Sequence, residues 1–344
     1  MAKPKHILVI RLSAMGDVAM TVPVLRVLLD TYPDLKITIM SRSFLKPLFQ
    51  SLPRTNFLDA EVYGKHKGIP GLIKLAKEAK DLGIDAVADL HQVLRTKIMD
   101  LYFSLNSIPV AKINKGRAEK KALTQANGDE IKPLKTTHER YADVFANLGF
   151  PIDLKKHTYP KKSKVSNSIA ELFIPNKKYI GIAPFAAHES KQYPLAMMKE
   201  VIRMLSESGK YQIFLFGGGK KEVTTLEQLD KSFNHTISVA GKYNLQTELE
   251  IIEQLDVMVS MDSGNGHLAA LYNIPVLTLW GNTHPYAGFA PFHQSKENQL
   301  VADREKFPLI PTSVYGNKLP EGYEKVMETI PAAFVVKKIE AVIA

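Results

Sequence analysis

The chain contains no cysteine. That excludes disulfides, thiolate nucleophiles and cysteine-ligated metals, and says little about compartment. No stretch approaches the roughly 20 consecutive apolar residues that a membrane-spanning helix requires. The first apolar run, residues 6–10, is interrupted by Arg11 and is too short for the core of a secretory signal. The expectation is therefore a cytoplasmic protein. No G-x-G-x-x-G is present, so the dinucleotide fingerprint is missing. No H-E-x-x-H and no D-x-D pair occurs, and neither a bound metal nor a cofactor is expected. The absence of G-x-S-x-G leaves a serine triad without support.

What remains is enough for two domains. The chain has 344 residues, of which 45% are hydrophobic, ample for sizeable cores. It carries a formal charge of +10 with a pI near 9.4. Such a balance favours an anionic partner: nucleic acid, an acidic membrane surface or a phosphorylated substrate. The basic residues crowd into 112–140, a polar stretch read as a lid over a sheet edge. They are not interleaved with aromatics as in single-strand grooves, so no nucleic acid is expected.

Short β-type runs alternate with helical periodicity along the whole chain. Strands are predicted at 6–10, 36–40, 57–63, 85–90 and 108–113, with helices at 18–29, 71–82, 95–105 and 136–148. After the lysine-rich segment 155–164 a second series follows. Its strands fall at 179–183, 212–216, 236–239, 256–260 and 275–279, its helices at 195–206, from 220, at 245–255 and at 331–343. This pattern implies parallel sheets covered by helices, an α/β protein. Two Rossmann-like, doubly wound domains facing a cleft are expected. The first spans 1–160 and the second 161–325, and the closing helix 326–344 is a candidate to pack back on the first.

In such sheets ligands sit at the carboxyl ends of strands. The stretch MDSGNGH, residues 261–267, lies at one of these ends. Ser263 can cap the following helix, and the glycines permit close backbone approach. Free amides at a helix start form an anion site, flanked here by Asp262 and His267. Taken singly these have plainer readings: Asp262 as a bond acceptor for turn amides, His267 as a structural histidine. Asp17, in the turn S-A-M-G-D, is either a helix-start carboxylate or a general base. Lys191 is a solvated loop lysine or a diphosphate clamp. Gly217, Gly218 and Gly219 form either a flexible turn or a nucleotide approach.

Together these segments resemble the lipopolysaccharide heptosyltransferases of glycosyltransferase family 9. The resemblance is carried by ILVIRLSAMGDVAMTVPVL, by DLHQVLRT at 89–96, by HESKQYP at 188–194, and by MDSGNGHLAA followed by LTLWGNTHP. It implies the GT-B fold and inverting, metal-independent transfer of a sugar from an ADP-sugar, ADP-heptose above all, to a lipopolysaccharide-core acceptor. Asp17 falls at the position of the catalytic base. Lys191, Asp262, Ser263, Gly264 and His267 fall on the donor diphosphate and sugar, and Glu222 and Tyr243 on the nucleoside. Arg95, Lys115, Arg117, Lys120 and Lys121 are candidates for the acceptor, a lipid-linked oligosaccharide at the anionic inner face of the inner membrane. A monomer is expected. The sequence departs from the family at Ala186 and Ala187, where threonines are usual, and at His91-Gln92. Two other readings compete: a sugar-nucleotide epimerase of the same fold, and a non-catalytic protein that binds anions or nucleic acid.

Overall fold

The computed structural model describes residues 3–126 and 128–344. It divides into two compact units, one of Met1–Lys115 with Thr137–Pro160, the other of Gly116–Thr136 with Lys161–Ala344.

The first unit runs β1 (His6–Ile10), α1 (Met15–Ala19), α2 (Thr21–Thr31), β2 (Lys36–Ser41), β3 (Thr55–Asp59), α3 (Gly68–Asp81), β4 (Ala86–Asp89), α4 (Leu94–Leu105) and β5 (Val110–Lys112). After α5 (Arg117–Leu123), which belongs to the second unit, it resumes with α6 (Thr137–Asn147). Its five strands are parallel in the order β3-β2-β1-β4-β5. The central strand is apolar on both faces, Ile7 to Ile10 being fully buried, because helices cover both sides of a parallel sheet. Ile7 pairs with Ile37 on one side and Ala86 on the other, so β1 and β4 end level with one another. The predicted helix over 18–29 is two helices that meet at Met20.

The second unit contains β6 (Lys178–Ala183), α7 (Leu195–Glu207), β7 (Tyr211–Leu215), α8 (Lys220–Ser232), β8 (Thr236–Ser238), α9 (Leu245–Glu253), β9 (Val257–Met261), α10 (Gly264–Ala270), β10 (Val276–Trp280), β11 (Gln299–Val301) and α11 (Ala332–Ile343). Its six parallel strands run β11-β10-β9-β6-β7-β8. β6 and β9 are adjacent, which brings the loops after them together at one sheet end. β11 escapes the hydropathy reading because only Leu300 of its three residues is buried.

Two segments take places that hydropathy does not reveal. Residues 116–136 do not belong with the first sheet. Leu123 and Ile131 form a small core with Ala287, and Leu134, Tyr286 and Phe289 pack on it. The Leu134 amide donates to the Tyr286 carbonyl at 2.9 Å. Counting lysines hid these apolar anchors. The closing helix α11 packs on α7 and β9 of its own unit. Val335, Val336 and Ile339 enter the core that holds Val201, Leu205 and Val259, and burying them there is the driving force.

Candidate active site

In the first unit the chemistry gathers where β1 and β4 end. The Asp17 carboxylate sits in the short α1, its Oδ2 2.5 Å from Arg11 Nη2. It also accepts, weakly, from the Ala14 amide at 3.4 Å, so the helix-start role is partly realised. Arg11 is only 7% exposed and donates a second bond to the Leu90 carbonyl at 2.8 Å. Burial works against its charge, but Tyr141 and Asp17 more than offset this and its pKa rises above the ordinary arginine value. The Tyr141 hydroxyl donates to the Asp17 carbonyl at 3.2 Å, and burial raises its own pKa. Asp17, 29% exposed at its side chain, is thus clamped from below and open to solvent.

His91 lies beside it. Its Nδ1 accepts from the Leu12 amide at 3.4 Å, which places the proton of the neutral ring on Nε2. Burial, followed by the charges of Arg11 and Lys115, lowers its pKa to about 3. Asp17 and Arg95 also act on it, so two of the acceptor candidates stand near the proposed base. Arg95 is exposed and lies over the Tyr63 ring at 5.1 Å, and Arg42 approaches the same ring at 5.6 Å. The turn that carries His91 is held by Asp89, whose Oδ1 accepts from the amides of His91 at 2.8 Å and Gln92 at 2.9 Å.

In the second unit the loops after β6 and β9 meet through an ion pair. Lys191 Nζ is 2.7 Å from Asp262 Oδ2, with the two side chains 13% and 8% exposed. An ammonium has three donors, so the pairing leaves capacity for an anion. Ser263 does not cap α10 through its side chain. Its Oγ is buried and, among the described residues, has no hydrogen-bond partner. His267 is buried within α10, while Gly264 opens that helix half-buried. The glycines there serve packing as much as approach: a Cβ on Gly266 would lie 2.8 Å from Ser260 Oγ.

The remaining donor candidates are more scattered. Glu222 Oε2 accepts from the Gly218 amide at 2.8 Å, bracing the glycine turn that opens α8. Tyr243 is half-buried in the loop between β8 and α9. Of the basic residues on α5, Arg117 and Lys121 are exposed, but Lys120 is buried, its Nζ 3.9 Å from the centre of the Phe289 ring. Lys120 therefore packs within the second unit. Sequence reasoning missed Arg11 and Tyr141. A charged residue ending the β1 apolar run was the available signal for Arg11; nothing comparable marked Tyr141. Among the described residues no group of three histidine or acidic side chains is placed to hold a metal ion.

Residues 79–312 match the model of glycosyltransferase family 9 (heptosyltransferase). The lipopolysaccharide core heptosyltransferase OpsX of Haemophilus influenzae is 24% identical over 294 residues, covering 82% of this chain and 80% of its own. The structure of a glycosyltransferase family 9 protein from Veillonella parvula superposes with a TM-score of 0.76 at 19% identity, covering 98% of this chain and 97% of that one. The E. coli heptosyltransferase WaaC with ADP-2-deoxy-2-fluoro heptose superposes at 0.64 and 18% identity, covering 98% and 99%.

Proposed function

The chain belongs to glycosyltransferase family 9 and is a glycosyltransferase, and from that premise we propose that it moves a heptose, with inversion and without a metal, from ADP-heptose to a lipopolysaccharide-core acceptor. The observation that carries the donor half is the Lys191–Asp262 pair beside the buried Ser263 hydroxyl. A fixed cation and a buried hydroxyl donor suit a diphosphate leaving group, and donors preorganised toward growing charge each contribute several kcal/mol to catalysis. That the E. coli relative was solved with an ADP-heptose analogue supports adenine as the base. Glu222 and Tyr243 serve the nucleoside in this reading, and Gly264 and His267 the sugar and diphosphate.

Asp17 takes the proton of the acceptor hydroxyl as that oxygen attacks the anomeric carbon. The bond to the ADP oxygen breaks on the opposite face, and the electron pair leaves with the diphosphate. Arg11 holds the carboxylate in place, and neutral His91 stands beside it without competing for the proton, its pKa being near 3. Among the described residues no helix is long and apolar enough to cross a membrane; with the basic charge this supports action at the cytoplasmic face of the inner membrane, on a lipid-linked oligosaccharide. The assay is transfer from ADP-heptose to a core acceptor, followed by release of ADP. The expected result is acceptor-dependent turnover, an inverted anomeric centre and full activity in chelator. Alteration of the donor without acceptor would replace this reading with an epimerase, and activity lost to chelator and restored by Mg²⁺ would end the metal-free mechanism.

The acceptor side draws on Arg42 and Arg95 over Tyr63, with Lys115, Arg117 and Lys121. Planar guanidiniums suit acidic sugars and phosphates. Replacing Arg42 and Arg95 together by Gln is expected to raise acceptor KM about tenfold, as loss of two solvent-exposed charge pairs worth under about 1 kcal/mol each would, and to leave ADP affinity alone. An unchanged acceptor KM removes both from the site.

A further inference from the structure

Lysine is a flexible point charge on a long stem, and ordering such a side chain has an entropic cost. Lys191 is held at both ends. Asp262 fixes its ammonium at 2.7 Å. Its stem lies against the backbone of Gly316: a Cβ on that glycine would be 2.4 Å from Lys191 Cδ and 2.5 Å from Cγ. Gly316 has φ +80°, the left-handed region that suits glycine. Two separate features, conformation and space, therefore require glycine there.

The loop that presents Gly316 is tied to the residue before the lysine. Ser190 Oγ donates to the Gly316 carbonyl at 2.5 Å. The Gly316 amide donates to Ser313 Oγ at 3.0 Å, and Ser313 Oγ donates to Asn317 Oδ1 at 3.0 Å. Asn282, 1% exposed, joins the two segments. Its amide donates to the Ser190 carbonyl at 3.3 Å, and its own carbonyl accepts from the amides of Thr312 at 3.0 Å and Ser313 at 3.3 Å. Its side chain accepts from Thr312 Oγ1 at 3.0 Å and donates to the Tyr323 carbonyl at 3.1 Å. On the other flank the Tyr193 hydroxyl donates to the Ile330 carbonyl at 2.6 Å. The segment 312–317 has no strand or helix of its own, yet it is cross-linked to the lysine loop by hydrogen bonds whose partners are mostly buried.

We propose that residues 312–317, anchored by Asn282, form a strap that sets the position of the Lys191 ammonium, and that Gly316, Ser190 and Asn282 are positioning residues for a nucleoside diphosphate. The inference rests on the reading of Lys191 as the diphosphate clamp. The strap does not touch the ligand; it removes the freedom that Lys191 would otherwise lose on binding. Its effect on affinity must then pass through the lysine.

A double-mutant cycle separates this from general damage. ADP affinity is measured by calorimetry for Gly316→Ala, Ser190→Ala, Lys191→Met, and each of the first two combined with Lys191→Met, with the melting temperature of every variant alongside. Gly316→Ala and Ser190→Ala are each expected to weaken ADP, the glycine variant about tenfold, and neither is expected to weaken it further once Lys191 is Met. Equal losses in both backgrounds, or no loss in the wild-type background, overturn the strap. If Lys191→Met itself leaves ADP affinity unchanged, the clamp reading fails and the strap with it. Should the glycine variant not fold, Ser190→Ala, which deletes one hydroxyl without strain, decides the matter alone.

Discussion

Asp17→Asn is expected to lower kcat by about 10²- to 10⁴-fold, the usual contribution of a positioned base, and to leave ADP affinity unchanged. The substitution preserves shape but removes a carboxylate that faces solvent in the first-unit cluster. His91 cannot substitute as base by holding a proton reversibly near neutrality, because burial keeps its pKa near 3. A structural explanation competes with the catalytic one. Arg11 is buried against Asp17, and a buried charge deprived of its partner destabilises by about 3–5 kcal/mol. Activity lost that way would return when the orphan is removed. The double variant Asp17→Asn with Arg11→Met therefore decides. Recovery of melting temperature with turnover still absent establishes the base, whereas turnover that returns with stability shows Asp17 to be a structural partner of Arg11.

The same pair shows what a single sequence can reveal. Asp17 was legible because a carboxylate two residues into a helix after the first strand has few roles. Its clamp was not, since Arg11, Leu90 and Tyr141 are brought together by strand register and by a helix more than a hundred residues away. Lys191 and Asp262 were both picked out, each with a bland alternative, but their contact depends on β6 and β9 being neighbours. Alternation of strands and helices indicates parallel sheets without giving their order. The sequence reading was weakest at 116–136. There the lysines announced a solvated lid, while three well-spaced apolar residues, Leu123, Ile131 and Leu134, were enough to seat the segment on Ala287 and Phe289. Lys120 went with them, its charge satisfied in part by an aromatic face. Charge predicts exposure only where no apolar neighbours pull the stem inward.

A buried acid pair beneath the first-unit site gives the second large effect. Asp89 and Asp100 are 0% and 1% exposed, Asp89 at the end of β4 and Asp100 on α4. Burial, then the charge of Asp89, pushes the Asp100 pKa up to about 7, with Lys112 at 3.5 Å opposing. Near neutrality Asp100 is thus half protonated, and the charge of Asp89 favours that form. Asp89 is at the same time the acceptor for the His91 and Gln92 amides. The folded chain keeps a proton that the unfolded chain, with its ordinary value of 3.8, releases. Stability must therefore fall as pH rises from about 4, with the loss complete above about 7 and amounting to at most about 4 kcal/mol. Asp100→Asn removes this titration and nearly preserves the side chain's shape. The variant is expected to match the wild type within error at pH 4 and to be clearly more stable at pH 8, as read from denaturant unfolding at both values. A difference between the two proteins that does not change with pH would mean that Asp100 is ionised throughout, with Lys112 alone offsetting its burial. Because Asp89 carries the His91 turn, the same substitution tests whether strain in the acid pair reaches the site: turnover of the wild type, but not of the variant, should then decline across the same pH interval.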